Sequence, residues 1–109
     1  LNVSRDWGWA PEYVEAMWLM LQSEVSSDFI IATGETMSLK HFVQKAFELY
    51  DLDWEKYVVF NNDLLRPNDI EIGKANPSKA RIELNWEAKT KSDLLIKKLV
   101  DCKKMEKYF

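Results

Sequence analysis

One arginine-proline segment of the sequence has the side chains needed to bind a phosphorylated ligand. Arg66 directly precedes Pro67, and Asp69 follows three residues after the arginine. A guanidinium suits bidentate recognition of phosphate oxygens, and a carboxylate accepts hydrogen bonds from vicinal hydroxyls. The same residues also suit a surface turn whose charges serve only solubility. On these residues alone, both interpretations remain open.

A second candidate lies just before the first predicted helix. Arg5 and Asp6 open the segment RDWGW, close to helix-start N–H groups that favour anions. Arg5 could therefore bind an anionic ligand. It could equally form a structural ion pair with Asp6 or Glu12.

The sequence has little material for catalysis or for a metal centre. His41 is its only histidine and Cys102 its only cysteine, which leaves almost nothing for a Ser-His-Asp triad or a zinc site. The glycines Gly8, Gly34 and Gly73 are too far apart for a dinucleotide fingerprint or a P-loop. We therefore expect no catalytic, cofactor-binding or metal-binding residue in this chain, and we expect His41 to lie on the surface.

Composition predicts one folded domain over residues 1–109, since 47% of the residues are apolar and 13% are aromatic. The net charge of −3 argues against a nucleic-acid binder, which needs a basic face. A single cysteine excludes an internal disulfide and favours a reducing compartment. With neither a long apolar run nor a leader, we expect a soluble, cytoplasmic protein without a membrane partner.

Hydrophobic periodicity predicts alternating helices and strands. The predicted helices are 11–23, 38–50, 77–84 and 90–107, and the predicted strands are 29–33 and 57–60. Ser38 is the expected cap of the second helix, and Thr90 with Asp93 resembles a capping box for the last. Two lone strands make a poor sheet, so we expect extra short strands at SRDW and DIEI or a missing larger half. The five tryptophans and a first residue other than methionine favour the missing half.

Four blocks of the sequence together resemble one enzyme family. The segments RDWGWAPEYVEAMWLMLQ, DFIIATGETMSLKHFVQKAF, LDWEKYVVF and LRPNDIEIGKANPSKARIELNWEAKT are similar, in order and spacing, to the C-terminal part of GDP-mannose 4,6-dehydratases. These belong to the extended short-chain dehydrogenase/reductase superfamily. The resemblance implies an α/β fold, namely a small mixed α/β C-terminal substrate-binding subdomain without the Rossmann half.

The resemblance also implies an activity and its partners. The family converts GDP-mannose to GDP-4-keto-6-deoxymannose and water, using NADP bound by an N-terminal Rossmann half. That half carries the catalytic threonine, glutamate and tyrosine-x-x-x-lysine pair, and no tyrosine here has a lysine four residues later. The resemblance thus implies that this chain is inactive alone, binds GDP-mannose together with the Rossmann half, and belongs to a homo-oligomer when intact.

Three residues match substrate-binding positions of the family. Arg5 and Arg66 match arginines directed at the diphosphate of the sugar nucleotide. Asp69 stands where most dehydratases have glutamate and epimerases have aspartate, and the resemblance directs it at the ribose hydroxyls.

Three positions depart from the family pattern. Trp9 and Met37 replace common histidines, and Ser4 replaces a common lysine. These departures leave open a sister reaction on another GDP-sugar, or simple packing of Trp9 against Met37. The alternatives at this point are a fragment of a related nucleotide-sugar reductase or epimerase, and a non-catalytic α/β binding module.

Overall fold

The computed structural model of the chain describes residues 1–106 and has a mixed α/β fold, as predicted. Its described elements are β1 Ser4–Arg5, α1 Ala10–Gln22, β2 Met37–Ser38, α2 Leu39–Glu48, α3 Ser78–Leu84 and α4 Ser92–Glu106. Two short 3₁₀ turns, Trp54–Lys56 and Asn62–Leu64, lie between α2 and α3.

The small sheet is built around β1. On one side β1 pairs antiparallel with β2, with Ser4 opposite Ser38 and Arg5 opposite Met37. On the other side Ser4 forms a parallel bridge to Ile72, and the Ser4 amide donates to the Glu71 carbonyl at 2.7 Å. The prediction of a strand at SRDW is confirmed, whereas DIEI forms only this single bridge. Arg5 therefore lies at the end of the central strand.

The main core consists of small side chains packed around one tryptophan. Ala16 of α1 and Ala80 of α3 are fully buried, and small residues at both positions let the two helices approach closely. Trp86 is 3% exposed, packs edge-on against Tyr13 and donates its Nε1 hydrogen to the Glu12 carbonyl at 3.0 Å. Because the indole N–H has a partner, its burial leaves no unsatisfied donor.

Local sequence signals account for three of the helices. α1 begins one residue before the predicted start, with Pro11 in its first turn. Ser38 caps α2 as predicted, because its hydroxyl accepts a hydrogen bond from the His41 amide at 3.1 Å. α3 ends at Leu84 as predicted, and the following Asn85 has a left-handed conformation with a φ of 53°.

Both predicted strands are wrong. At 57–60, the Tyr57 and Val58 amides donate to the Trp54 carbonyl at 3.1 and 3.0 Å, so the chain coils at this point instead of pairing. Val59 then lies 87% exposed. The run 29–33 forms no strand because none of its backbone groups pairs with another described segment of backbone.

The predicted capping box of the last helix is also wrong. α4 begins at Ser92, and the Thr90 side chain instead donates to a Glu12 carboxylate oxygen at 2.8 Å. Asp93 lies 2.7 Å from Nε2 of the exposed His41. Both predicted capping side chains have partners on other helices, so tertiary contacts override the local motif. The predicted end of this helix at Lys107 lies outside the described residues.

Candidate functional site

Two of the three candidate binding residues, Arg5 and Asp69, are in direct contact. Their Nη2 and Oδ1 atoms lie 2.9 Å apart, although the residues are 64 positions apart in the sequence. The parallel bridge between Ser4 and Ile72 explains the contact, since it holds the segment after Asp69 against β1. The side chains remain 30% and 38% exposed, so solvent reaches both charges.

The ion pair leaves both side chains able to bind a ligand. Arg5 uses one N–H for Asp69 and one Nη1 hydrogen for the Ser4 carbonyl at 2.9 Å. A guanidinium has five N–H donors, so three remain for an anion. Among the described residues, Oδ2 of Asp69 has no hydrogen-bond donor. The pair thus offers donors and an acceptor side by side, which suits a phosphate next to a hydroxyl.

The acidic residues that the sequence offered as alternative partners of Arg5 have other roles. Asp6 accepts hydrogen bonds from the Thr33 amide at 3.0 Å, the Thr33 hydroxyl at 2.7 Å and the Gly34 amide at 2.8 Å. Glu12 accepts from the amides of Lys89 and Thr90 at 3.2 and 3.0 Å. The expected alternative, in which Arg5 pairs with Asp6 or Glu12, is therefore wrong.

Arg66 is not part of this ion pair. It is exposed, and its side chain makes no hydrogen bond or ion pair with the described part of the chain. Because a residue before proline favours an extended backbone, the sequence predicts an extended segment around Arg66. This prediction is wrong, since Pro67 and Asn68 form a turn. The φ of proline, fixed near −65°, also suits the second position of a turn. Arg66 is consequently an exposed cation with no partner among residues 1–106.

Two neighbours of Arg5 were not identified as site residues from the sequence. Gly73 leaves room for the arginine, because a Cβ atom there would lie 3.3 Å from Arg5 Cδ. Met37 lies directly across from Arg5 in the β1–β2 pair, so both side chains project from the same face of the sheet. The only sequence signal for Gly73 is its position directly after DIEI, in which acidic and apolar residues alternate. For Met37, the sequence shows only a departure from the family pattern.

Trp9, another departure from the family pattern, has different surroundings from Met37. The Lys98 ammonium lies 5.4 Å from the centroid of the Trp9 ring, a cation–π distance. Lys98 also donates to the Thr90 hydroxyl at 3.3 Å, so Trp9 covers the junction before α4. This position of Trp9 indicates a role in packing.

Two cavities of the described surface do not coincide with the candidate residues. One of about 320 Å³ is lined by residues including Glu12, Arg81 and Trp86, and another of about 330 Å³ by residues including Asn76, Arg81 and Lys91. Neither is lined by Arg5, Arg66 or Asp69. We place the candidate binding site at the Arg5–Asp69 ion pair and not in either cavity, because the ion pair offers N–H donors for a phosphate and an acceptor for a hydroxyl. The candidate site is then an open surface that requires further walls to enclose a ligand.

Burial, with smaller contributions from the Asp6 and Glu12 carboxylates, raises the pKa of Tyr13 above its ordinary value of 10.0. No group of three or more histidine, cysteine, aspartate or glutamate side chains within residues 1–106 is placed to hold a metal ion. Likewise, the described helices are all too short or too polar to cross a bilayer.

Comparison with known proteins decides the family. A family model described as GDP-mannose 4,6 dehydratase matches residues 1–99. The chain belongs to the GDP-mannose 4,6-dehydratase family. Over 92% of its length it is 42% identical to the GDP-mannose 4,6 dehydratase of Dictyostelium discoideum, and over 93% it is 40% identical to GDP-mannose 4,6 dehydratase 1 of Arabidopsis thaliana. It is 35% identical to the human GDP-mannose 4,6 dehydratase over 92% of its length.

The family match covers only part of each related dehydratase. The aligned region is 33% of the Dictyostelium protein, 28% of the Arabidopsis protein and 32% of the human protein. The chain thus spans about a third of the length of these curated relatives.

Proposed function

We propose that this chain is the C-terminal, substrate-binding part of a GDP-mannose 4,6-dehydratase. The intact enzyme converts GDP-mannose to GDP-4-keto-6-deoxymannose and water. The family match over residues 1–99 and the one-third coverage of the relatives support this proposal. The chain alone is inactive, because its sequence contains no tyrosine-x-x-x-lysine pair.

Within this part, Arg5 and Arg66 bind the diphosphate of GDP-mannose, and Asp69 accepts hydrogen bonds from the ribose hydroxyls. The observation that carries this assignment is the 2.9 Å contact between Arg5 and Asp69. Because Arg5 offsets the charge of Asp69, the carboxylate can lie near a diphosphate with reduced repulsion. The three donors left on Arg5 are available to the phosphate oxygens.

NADP is bound by the N-terminal Rossmann part of the intact enzyme. The residues of this chain do not fit a dinucleotide, since Gly8, Gly34 and Gly73 form no glycine-rich loop between a strand and a helix. The contribution of this chain is to bind and orient GDP-mannose.

The test is to replace Arg66 by alanine in the full-length protein and to measure GDP-mannose binding by calorimetry. We expect a loss of about 2–4 kcal/mol, or roughly thirtyfold to several hundredfold in Kd, for removing a charge-assisted partner of an enclosed anion. Arg81→Ala is the matched control, since this exposed arginine lines both cavities but is not assigned to the ligand. Unchanged affinity in Arg66→Ala, or a comparable loss in Arg81→Ala, would overturn the assignment.

A product assay tests the reaction itself. With GDP-mannose and NADP, the full-length protein should form a 4-keto-6-deoxy product, and residues 1–109 alone should form none. A related reductase or epimerase would instead yield a reduced or epimerised nucleotide sugar, which would reject the dehydratase assignment while keeping the diphosphate contacts.

A further inference from the structure

Two of the proposed ligand-binding residues lie on one exposed segment. Arg66 and Asp69 are both carried by residues 66–73, of which 66–72 are exposed. An exposed segment has little core packing to fix its position. The placement of both side chains therefore depends on the hydrogen bonds that attach this segment to the described domain.

Strand β1 supplies one line of these hydrogen bonds. The Ser4 amide donates to the Glu71 carbonyl at 2.7 Å, and the Gly73 amide donates to the Ser4 carbonyl at 2.8 Å. The Arg5 guanidinium adds its 2.9 Å contact with Asp69. Because all three bonds involve adjacent residues of one short strand, they restrain the segment along a single line, about which it can still swing.

Thr36 attaches the segment from a different direction. Its hydroxyl donates to the Gly73 carbonyl at 2.9 Å, although the two residues are 37 positions apart in the sequence. Within residues 1–106, this is the one hydrogen bond that joins 66–73 to a residue outside β1. A second point of attachment prevents the swing that a single line of bonds allows.

The stretch that carries Thr36 is itself held at both ends. At its start, the two carboxylate oxygens of Asp6 accept hydrogen bonds from the Thr33 and Gly34 amides at 3.0 and 2.8 Å. At its end, β2 follows directly and pairs with β1. The Thr36 hydroxyl therefore projects from a fixed backbone and can hold a second segment in place.

The group that Thr36 holds lies beside the proposed diphosphate ligand Arg5. A Cβ atom on Gly73 would lie 3.3 Å from Arg5 Cδ, so the Gly73 backbone passes close to the arginine side chain. A shift of Gly73 changes the space available to the guanidinium, and it also moves Asp69, four residues earlier in the same segment. A displacement of about 1 Å is enough to weaken correctly oriented contacts in a binding site.

We propose that Thr36 is a positioning residue whose hydroxyl fixes segment 66–73 relative to Arg5. Arg66 and Asp69 are thereby held where they bind the same sugar nucleotide as Arg5. Thr36 acts through the segment and does not touch the ligand. This inference rests on the proposed function, because it assigns Thr36 a role in the binding of GDP-mannose.

The first test replaces Thr36 by valine in the full-length protein, which removes the hydroxyl and keeps the branched shape. The Kd and KM for GDP-mannose should rise about three- to tenfold, as expected for the loss of one neutral hydrogen bond. The kcat should change less than about twofold, because binding of the ground state and of the transition state weakens equally. Thr36→Ser retains the hydroxyl and should bind within about twofold of the parent. An unchanged Kd in Thr36→Val, or equal Kd values for the valine and serine variants, would overturn the proposal.

Thr90→Val is the matched control for the loss of a threonine hydroxyl. Thr90 is 2% exposed, and its hydroxyl donates to the Glu12 carboxylate at 2.8 Å, away from segment 66–73. This variant should lower the Tm at least as much as Thr36→Val does but leave the Kd of GDP-mannose unchanged. A comparable rise of the Kd in Thr90→Val would attribute the effect to general destabilisation and contradict a positioning role.

Hydrogen exchange reports on the segment in the absence of any ligand. In the full-length protein, the Ser4 and Gly73 amides should exchange about three- to tenfold faster in Thr36→Val than in the parent, because both amides bond the segment to β1. Amides in the middle of α1 should exchange equally in the two proteins. Equal exchange of the Ser4 and Gly73 amides as well would show that Thr36 does not fix the segment.

The failure of this inference can be told apart from the failure of the proposed function. If Arg66→Ala weakens the binding of GDP-mannose and Thr36→Val does not, the positioning role is wrong and the diphosphate assignment stands. If neither variant changes the affinity, although the Ser4 and Gly73 amides exchange faster, the ligand assignment is wrong and the positioning role falls with it.

Discussion

The contact between Arg5 and Asp69 can be tested by a double-mutant cycle on residues 1–109. The variants are Arg5→Ala, Asp69→Ala and their combination, and the quantity measured is the free energy of unfolding from urea denaturation. The 2.9 Å separation favours a strong ion pair, but the side chains are 30% and 38% exposed, so solvent screens much of the attraction. We therefore expect a coupling energy of about 0.5–1 kcal/mol, near the upper end for exposed pairs.

The magnitude predicts a particular pattern among the variants. Once either partner is removed, removing the other should cost little, so the double variant should be about as stable as the weaker single variant. Because the pair is reached by solvent, the coupling should also shrink as salt is raised from about 0.05 M to about 0.5 M.

A second cycle with Glu12 serves as the control, since the sequence alone allowed it as the partner of Arg5. The carboxylate of Glu12 binds the Lys89 and Thr90 amides, so Arg5→Ala and Glu12→Ala should be additive within about 0.3 kcal/mol. Additivity between Arg5 and Asp69, combined with coupling between Arg5 and Glu12, would refute the placement of the arginine.

Two further predictions concern the contacts between α1 and the rest of the chain. Glu12→Gln should lower the free energy of unfolding by about 1–2 kcal/mol, because it removes the charge that accepts hydrogen bonds from the Lys89 amide and from Thr90. The control, Glu15→Gln on the exposed side of α1, should change the free energy of unfolding little. Equal effects of the two variants in urea denaturation would contradict this role of Glu12. The raised pKa of Tyr13 means that the folded state favours the neutral phenol. The contribution of Tyr13 to stability should therefore be fully present below pH 10.0 and be lost as the pH rises through the raised pKa. The free energy of unfolding should fall less between about pH 9 and about pH 11 in Tyr13→Phe than in the parent protein. An equal fall in both proteins would show that other groups cause the pH dependence.

The departures from the family pattern differ in what they contact. Met37 lies across from Arg5, the residue that we propose binds the diphosphate, so a change at Met37 is expected to affect substrate binding. Trp9 lies under Lys98 at the junction before α4, where it contributes to packing. Of the two replaced histidines, Met37 is therefore the better candidate for a change in the choice of GDP-sugar.

Local signals in the sequence were sufficient for α1, α2 and α3. The step of three and four residues between apolar side chains, the proline in the first turn of α1 and the serine cap of α2 act within one helix. Such interactions depend on neighbours along the chain, so they can be predicted without tertiary structure. The candidate residues Arg5, Arg66 and Asp69 also came from the sequence, first from their side-chain chemistry and spacing and then from the resemblance to the family.

Only the tertiary structure decided which groups those residues contact. Arg5 had two acidic neighbours in sequence, yet its partner is Asp69, because the bridge between Ser4 and Ile72 brings together segments that the sequence keeps far apart. Likewise, the Thr90 hydroxyl donates to the Glu12 carboxylate and does not form the expected capping box. A strand requires a partner, and residues 29–33 have none within the described chain, so their apolar pattern could not by itself produce a sheet. The sequence determined which segments become helices and which charges are available, and the fold determined how they pair, because pairing depends on contacts between distant residues.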